Sequence, residues 1–264
     1  MPPLKRGTHV NSGIFLGVAL TFAAAPFLAA QDNYEIQVYP SETVAPGKLM
    51  VELHSNFTFE GEKRTVDGVL PTEHALHETI ELTYGFNRWF ETGFYIFTSA
   101  RSGSGWQWVG DHIRPRVRAP ESWHWPVGVS LSMEFGYQRS AYSSDTWTWE
   151  IRPIVDKRLG RWYLSFNPVI DKAIHGANAG RGFEFSPNFK ASYDVTNVVT
   201  AGVEYYGALG PVTRFDPGPQ QQHQIVPALD LNVSPEWELN FGAAIGLTHA
   251  TDRFLLKMIV GRRF

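Results

Sequence analysis

The chain has 264 residues, of which 43% are hydrophobic, 14% aromatic and 19% charged, with 24 Gly, 17 Pro and no Cys. This composition excludes a disordered tail, a coiled coil and a collagen-like chain, and the length suits one domain or two small ones. A net charge of -3, from 23 basic and 26 acidic side chains with no basic block beyond Lys5-Arg6 and Arg262-Arg263, leaves no electrostatic footprint for nucleic acid. The absence of Cys removes disulfides, thiolate metal sites and cysteine catalysis.

The first residues carry Lys5, Arg6 and His9 and lead into GIFLGVALTFAAAPFLAA, an uncharged run of 18 residues from Gly13 to Ala30. Basic, apolar and small-residue regions in that order predict a secretory signal peptide over residues 1–30, cleaved near Gln31. The alternative is an uncleaved membrane anchor, disfavoured by Pro26 and the Ala29-Ala30 end. Residues 31–47 are expected on the periplasmic side, and nothing in their pattern says whether they enter a lumen. No later segment has 18 apolar residues in a row, so the mature chain is either an exported soluble protein or a barrel.

From Lys48 onward apolar and polar residues alternate with period two, the pattern of strands with one apolar face. In KLMVELHSNFTF, Leu49, Val51, Leu53, Phe57 and Phe59 oppose Met50, Glu52, His54, Asn56 and Thr58. In VGVSLSMEFGYQ, Leu131, Met133 and Phe135 oppose Ser130, Ser132 and Glu134. Read this way, residues 48–264 hold about twelve strands, over 48–59, 74–86, 89–99, 108–118, 126–139, 145–158, 161–173, 182–194, 197–207, 222–234, 236–248 and 251–264. Even-numbered strands are mostly followed by tight turns, such as Asn87-Arg88 and Leu159-Gly160. Odd-numbered strands are mostly followed by loops such as 60–73, 100–107, 174–181 and 208–221. Alternating short turns and longer loops, with strands longer than the ~5–6 residues of soluble sheets, predict an all-β, transmembrane, antiparallel up-and-down β-barrel rather than a soluble sandwich. Trp89, Phe90, Trp108, Trp123, Trp125, Trp147, Trp149, Trp162, Tyr163, Tyr205, Tyr206 and Trp237 near strand ends fit interfacial girdles.

The chain stops at RFLLKMIVGRRF, where a terminal Phe264 closes an alternating strand. Such an ending resembles the signal that outer-membrane barrels present to their assembly machinery, although Arg262 stands where an aromatic or apolar residue is usual. The sequence also resembles the outer-membrane barrels grouped with the transporters of the MetA-pathway of phenol degradation. YEIQVYPSETVAPGKLMVELHSNFTF (34 to 59), HETIELTYGFNRWFETGFYIF (77 to 97), WEIRPIVDKRLGRWYLSFNPVID (149 to 171) and EFSPNFKASYDVTNVVTAGVEYYG (184 to 207) carry the resemblance. It implies a bacterial outer-membrane location and a transport role with the solute unspecified.

Outer-membrane barrels include enzymes as well as pores. HALHE contains His74 and His77, but residues three apart on a strand face opposite sides and cannot share a metal ion. His54 with Ser130 or Ser132 is conceivable for hydrolysis, but no spacing argues for it, so no catalytic residues, metal or cofactor are expected. A hydrolytic or lipid-modifying barrel and a non-conducting structural barrel are the alternatives to a passive or weakly selective channel for small solutes.

The less apolar faces assign Glu52, His54, Glu81, Glu91, Arg114, Arg116, Arg118, Glu134, Glu150, Arg152, Glu184, Lys190, Glu204, Asp230, Glu238 and Lys257 to the lumen. Arg114, Arg116 and Arg118 form a stripe on one strand, expected beside Glu91 and Glu134. It reads equally as a salt-bridge ladder or as an anion-contacting wall. The expected partners are outer-membrane lipid and lipopolysaccharide, the assembly machinery and small solutes, with the barrel a monomer.

Overall fold

In a computed structural model, residues 33–264 are described, so the segment read as a signal peptide lies outside the described residues. The chain forms β1 (Leu49–Glu60), β2 (Leu76–Asn87), β3 (Phe90–Arg101), β4 (Gly105–Arg118), β5 (Gly128–Gln138), β6 (Asp145–Leu159), β7 (Trp162–Gly176), β8 (Glu184–Asp194), β9 (Val199–Ala208), β10 (Gln222–Leu231), β11 (Trp237–Gly246) and β12 (Phe254–Arg263). Each strand pairs antiparallel with its chain neighbours, and β1 pairs with β12, closing a twelve-stranded up-and-down barrel. Closure leaves no free edge.

Alternation explains both surfaces. On β2, Ile80, Leu82, Tyr84 and Phe86 point outward and are exposed, while Thr79, Glu81 and Thr83 between them point inward and are buried. Pro115 and Pro227, which lack an N–H for the ladder, fall where the β4–β5 and β10–β11 registers are interrupted.

Connections differ between the rims. One rim carries the turns after the even-numbered strands, including the two-residue turns 88–89 and 160–161, together with the start of β1 and the end of β12. The opposite rim carries longer loops, 61–75 and 209–221 among them. The expected loop 100–107 is mostly strand, because Trp106 and Trp108 pair with Ala100 and Thr98 and leave only 102–104 as the turn.

Two aromatics expected in the girdles point inward instead. Tyr163 donates to Asp156 at 2.9 Å, and Tyr206 packs on the segment before β1. Residues 33–46, whose entry into a lumen the sequence leaves open, run inside the barrel, from the long-loop rim at Asn33 to the short-turn rim at Gly47. They lie there because residues 34–39 are amphipathic: Ile36 and Val38 pack on Tyr206, Val226, Ala228, Ala244 and Leu255, and Tyr34 packs on Tyr95, Phe97 and Val109.

Candidate functional site: a lumen crossed by the N-terminal segment

The segment is fastened at every level of its descent. At the long-loop rim, Asn33 donates to Asp252 at 2.6 Å and its carbonyl accepts from Asn56 at 2.8 Å. One level down, the Tyr34 carbonyl accepts from Thr79 at 2.6 Å and the Ile36 carbonyl from the Lys257 ammonium at 2.9 Å. Beyond the centre, Ser41 gives its N–H and its hydroxyl to Asp156 at 2.7 and 2.8 Å. At the short-turn rim the Gly47 N–H reaches the Gly85 carbonyl at 2.7 Å. A Cβ at Gly85 would collide with the Val44 and Ala45 carbonyls, so the backbone passes there only over a glycine.

Tyr39 is the hub of the crossing. Its N–H donates to Asn167 at 2.8 Å, and its carbonyl accepts from Ser165 at 2.9 Å and Asn167 at 3.1 Å. Its ring lies 4.4 Å from the Arg114 guanidinium and 4.9 Å from that of Arg152, within cation–π range. Its hydroxyl donates to Glu35 and sits 3.1 Å from that of Tyr95.

The sixteen residues assigned to the lumen from the sequence lie on inward faces, and the structure sorts them into clusters. Arg114 pairs with Glu81 and lies 3.9 Å from Glu91. Arg116 donates to Glu91 at 2.7 Å, and to the Pro40 and Glu42 carbonyls of the crossing segment at 2.9 and 2.8 Å. Arg152 pairs with Glu150 at 2.6 Å and reaches Glu35 at 3.8 Å. Glu134 lies beside the arginine stripe on β5, as expected, and there pairs with His112, two residues before Arg114 on the same face of β4. On the opposite wall Lys257 and Lys190 contact Glu204 at 2.5 and 3.3 Å, and Lys190 contacts Asp230 at 2.9 Å. Arg118, Glu184 and Glu238 stand towards the rims with Glu121, Arg181 and Arg263 as partners. Glu52 and His54 lie beside Glu81.

His54 therefore contacts a carboxylate on β2, while Ser130 and Ser132 lie on β5, so no nucleophile and base are brought together there. His77 faces inward against the edge of the Tyr34 ring at 4.7 Å, and His74 precedes the strand. Sequence reasoning missed Glu35, Tyr39, Tyr95, Asn167 and Tyr206. The available signal was the alternation of Tyr34, Ile36 and Val38 against Glu35, Gln37 and Tyr39, which continues the strand pattern ahead of β1.

Two vestibules flank the crossing. The one at the short-turn rim, about 720 Å³, is lined by Ser41, Glu42, Arg118, Asp156, Lys190 and Asp230 among others. The one at the long-loop rim, about 690 Å³, is lined by Asn33, Tyr34, His77, Arg101, Tyr142 and Asp252 among others. Between them Glu35, Ile36, Tyr95, Arg114, Ile154 and Leu255 are buried.

The sequence matches no family model and no curated protein. The barrel is similar to the COG4313 outer membrane channel from Pseudomonas putida F1, with TM-score 0.56, 10% identity, and coverage of 87% of this chain and 100% of that one. It is also similar to the NanC porin, with TM-score 0.53, 8% identity and coverage of 80% and 97%, and to the KdgM porin, with TM-score 0.51, 9% identity and coverage of 81% and 99%. At these identities the likeness is one of fold.

Proposed function

We propose that this chain is an outer-membrane channel for small solutes, held closed at rest by its own residues 33–46. The outward faces supply a continuous apolar surface (Leu53, Ile80, Phe94, Ile113, Leu131, Phe166, Phe189, Leu229, Ile245 and Leu256 are all exposed), which only a lipid bilayer solvates favourably. In this reading the short turns face the periplasm, the long loops face outwards among lipopolysaccharide, and Phe264 at the end of β12 is offered to the assembly machinery. The observation that carries the channel reading is the pair of vestibules opening at opposite rims and separated by a single extended crossing of chain. A barrel built only as a wall has no need of two. Membership of the phenol-degradation transporter group remains part of this reading, with the solute open.

The density of hydrogen bonds along the segment favours a second reading, a structural barrel that never conducts. A reversible lock separates the two. A Cβ at Gly128 would lie 3.2 Å from the Ser41 Cβ, close to the spacing a disulfide spans, provided the Asp156 carboxylate, which would crowd that Cβ, swings aside. The chain has no other cysteine to interfere. Oxidised Ser41→Cys/Gly128→Cys protein in a planar bilayer should stay silent, and reduction should restore the discrete steps of the wild type. Silence of the wild type and of the reduced variant alike would establish the structural barrel.

A further inference from the structure

Glu52 and Glu81 stand directly opposite each other on β1 and β2 and both point into the lumen, 6% and 0% exposed. Like charges so placed repel. Glu81 is compensated, because Arg114 binds its Oε1. Glu52 makes no hydrogen bond and no ion pair with any described residue. Beside both is His54, fully buried, with its Nε2 3.4 Å from Glu81 Oε2 and neither ring nitrogen in a hydrogen bond. A buried carboxylate with no hydrogen bond and a buried imidazole held only by one long contact to Glu81 are each costly, so this wall favours a ligand that binds both.

We propose that Glu52, His54 and Glu81 bind one divalent transition-metal cation of the zinc class on the inner wall of the barrel. One donor atom from each of the three lies within 4.8 Å of the other two. A tetrahedral zinc with bonds of about 2.0–2.2 Å spaces its ligand atoms about 3.3–3.6 Å apart. The His54–Glu81 separation of 3.4 Å already matches one edge of that tetrahedron, and the Glu52 carboxylate, within 4.8 Å of both, would move in to complete the other two. One imidazole with two carboxylates suits zinc or manganese rather than the all-oxygen shell of calcium. A proton on Glu52 would neutralise its charge but leave His54 with neither ring nitrogen in a hydrogen bond. One cation answers both.

The surroundings fit entry from the short-turn vestibule. Gly261 faces Glu52 across the β1–β12 seam, and a Cβ there would sit 2.8 Å from Glu52 Cγ, so the carboxylate keeps its place because that position is glycine. Ile259 and Arg263, on the same face of β12, line that vestibule. The Tyr39 hydroxyl lies 3.5 Å from Glu81 Oε2, which places the cation next to the hub of the crossing segment. The site extends the channel reading without depending on it.

The test uses the full chain without a histidine tag, folded in detergent, stripped with chelator and titrated with zinc chloride by calorimetry. The expected result is one zinc per barrel, bound at least tenfold more weakly by Glu52→Gln and by His54→Gln and unchanged by His249→Gln on an exposed loop, in keeping with about 10–100-fold losses when metal sites are perturbed. Absence of uptake from millimolar zinc overturns the proposal, as does equal binding by wild type, Glu52→Gln and His54→Gln. A higher melting temperature of Glu52→Gln in chelator, with no zinc bound by the wild type, identifies a proton as the neutralising group and also overturns it. Should a variant not fold, X-ray absorption on zinc-loaded wild type decides. One imidazole nitrogen with carboxylate oxygens supports the site, and a shell with no imidazole or several overturns it.

Discussion

Lys257 on β12 and Ile36 on the crossing segment are 221 residues apart in sequence and joined by a 2.9 Å hydrogen bond from ammonium to backbone carbonyl. The same ammonium lies 2.5 Å from Glu204 on β9, and all three groups are buried. One side chain thus ties the wall to itself and to its plug.

Replacing Lys257 by Met should therefore be costly in two ways. It leaves the buried Glu204 carboxylate with only the longer Lys190 contact and the Tyr206 hydroxyl, and the Ile36 carbonyl without its ammonium donor, at a cost of about 3–5 kcal/mol for breaking a buried pair. Thermal unfolding in detergent, followed by gel mobility before and after heating, should show the loss. The Lys257→Met/Glu204→Gln double variant should recover most of it, and a double variant as unstable as the single would show that the pair is not the source.

Leu131 and Ser132 are neighbours on β5 with opposite surroundings, 38% and 0% exposed. If the outward face meets lipid, Leu131→Arg should cost about 2–4 kcal/mol at the bilayer midplane in equilibrium folding into vesicles. Leu131→Phe should be nearly neutral. Tolerance of arginine at Leu131 would place this face in water.

Asp252, at the foot of the loop before β12, accepts from Asn33, from the Thr72 hydroxyl at 2.7 Å and from the Glu62 N–H at 3.2 Å. Burial pushes its carboxyl above the usual carboxylate range, against the hydrogen bonds that pull it down. A folded-state value above the unfolded one means stability that is full at low pH and lost as pH rises through the folded value. The neutral Asp252→Asn chain escapes that loss, since the Asn33 amide can turn to present its oxygen. Its melting temperature should equal or exceed that of the wild type near neutral pH, and the two should converge below about pH 4. A variant less stable than the wild type at neutral pH would show the charge itself to be favourable.

The wall of the barrel is legible in the sequence because period two and turn chemistry act locally. The strand read over 145–158 is observed as Asp145–Leu159 and that over 197–207 as Val199–Ala208, and the inward parity of Glu81, Arg114 and Lys257 follows from neighbours alone. What fills the lumen is not local. Tyr95, Phe97, Val226 and Leu255 point inward although apolar, which makes sense only once Tyr34, Ile36 and Val38 arrive from outside the wall to cover them. Glu91 beside Arg116 was expected, but the other partners of that stripe were hidden. Arg116 spends two of its donors on the backbone of residues 40 and 42, a contact no side-chain pattern records, and His112 claims Glu134. Glu52, His54 and Glu81 were each assigned inward from the sequence, but their clustering arises from the β1–β2 register, which no local pattern gives.

The crossing segment is anchored at one rim and inserted from it: Gly47 is held at the short-turn rim and Asn33 lies at the other. Fifteen residues, from 33 to 47, reach at most about 50 Å when extended. The tether leaves a single way out, back through the short-turn rim. To clear the lumen, Asn33 must travel its full length, releasing Asp252 first and passing the Arg114, Arg116 and Arg152 guanidiniums on the way. In the channel reading proposed above, the crossing segment would therefore be released from the side of the short turns.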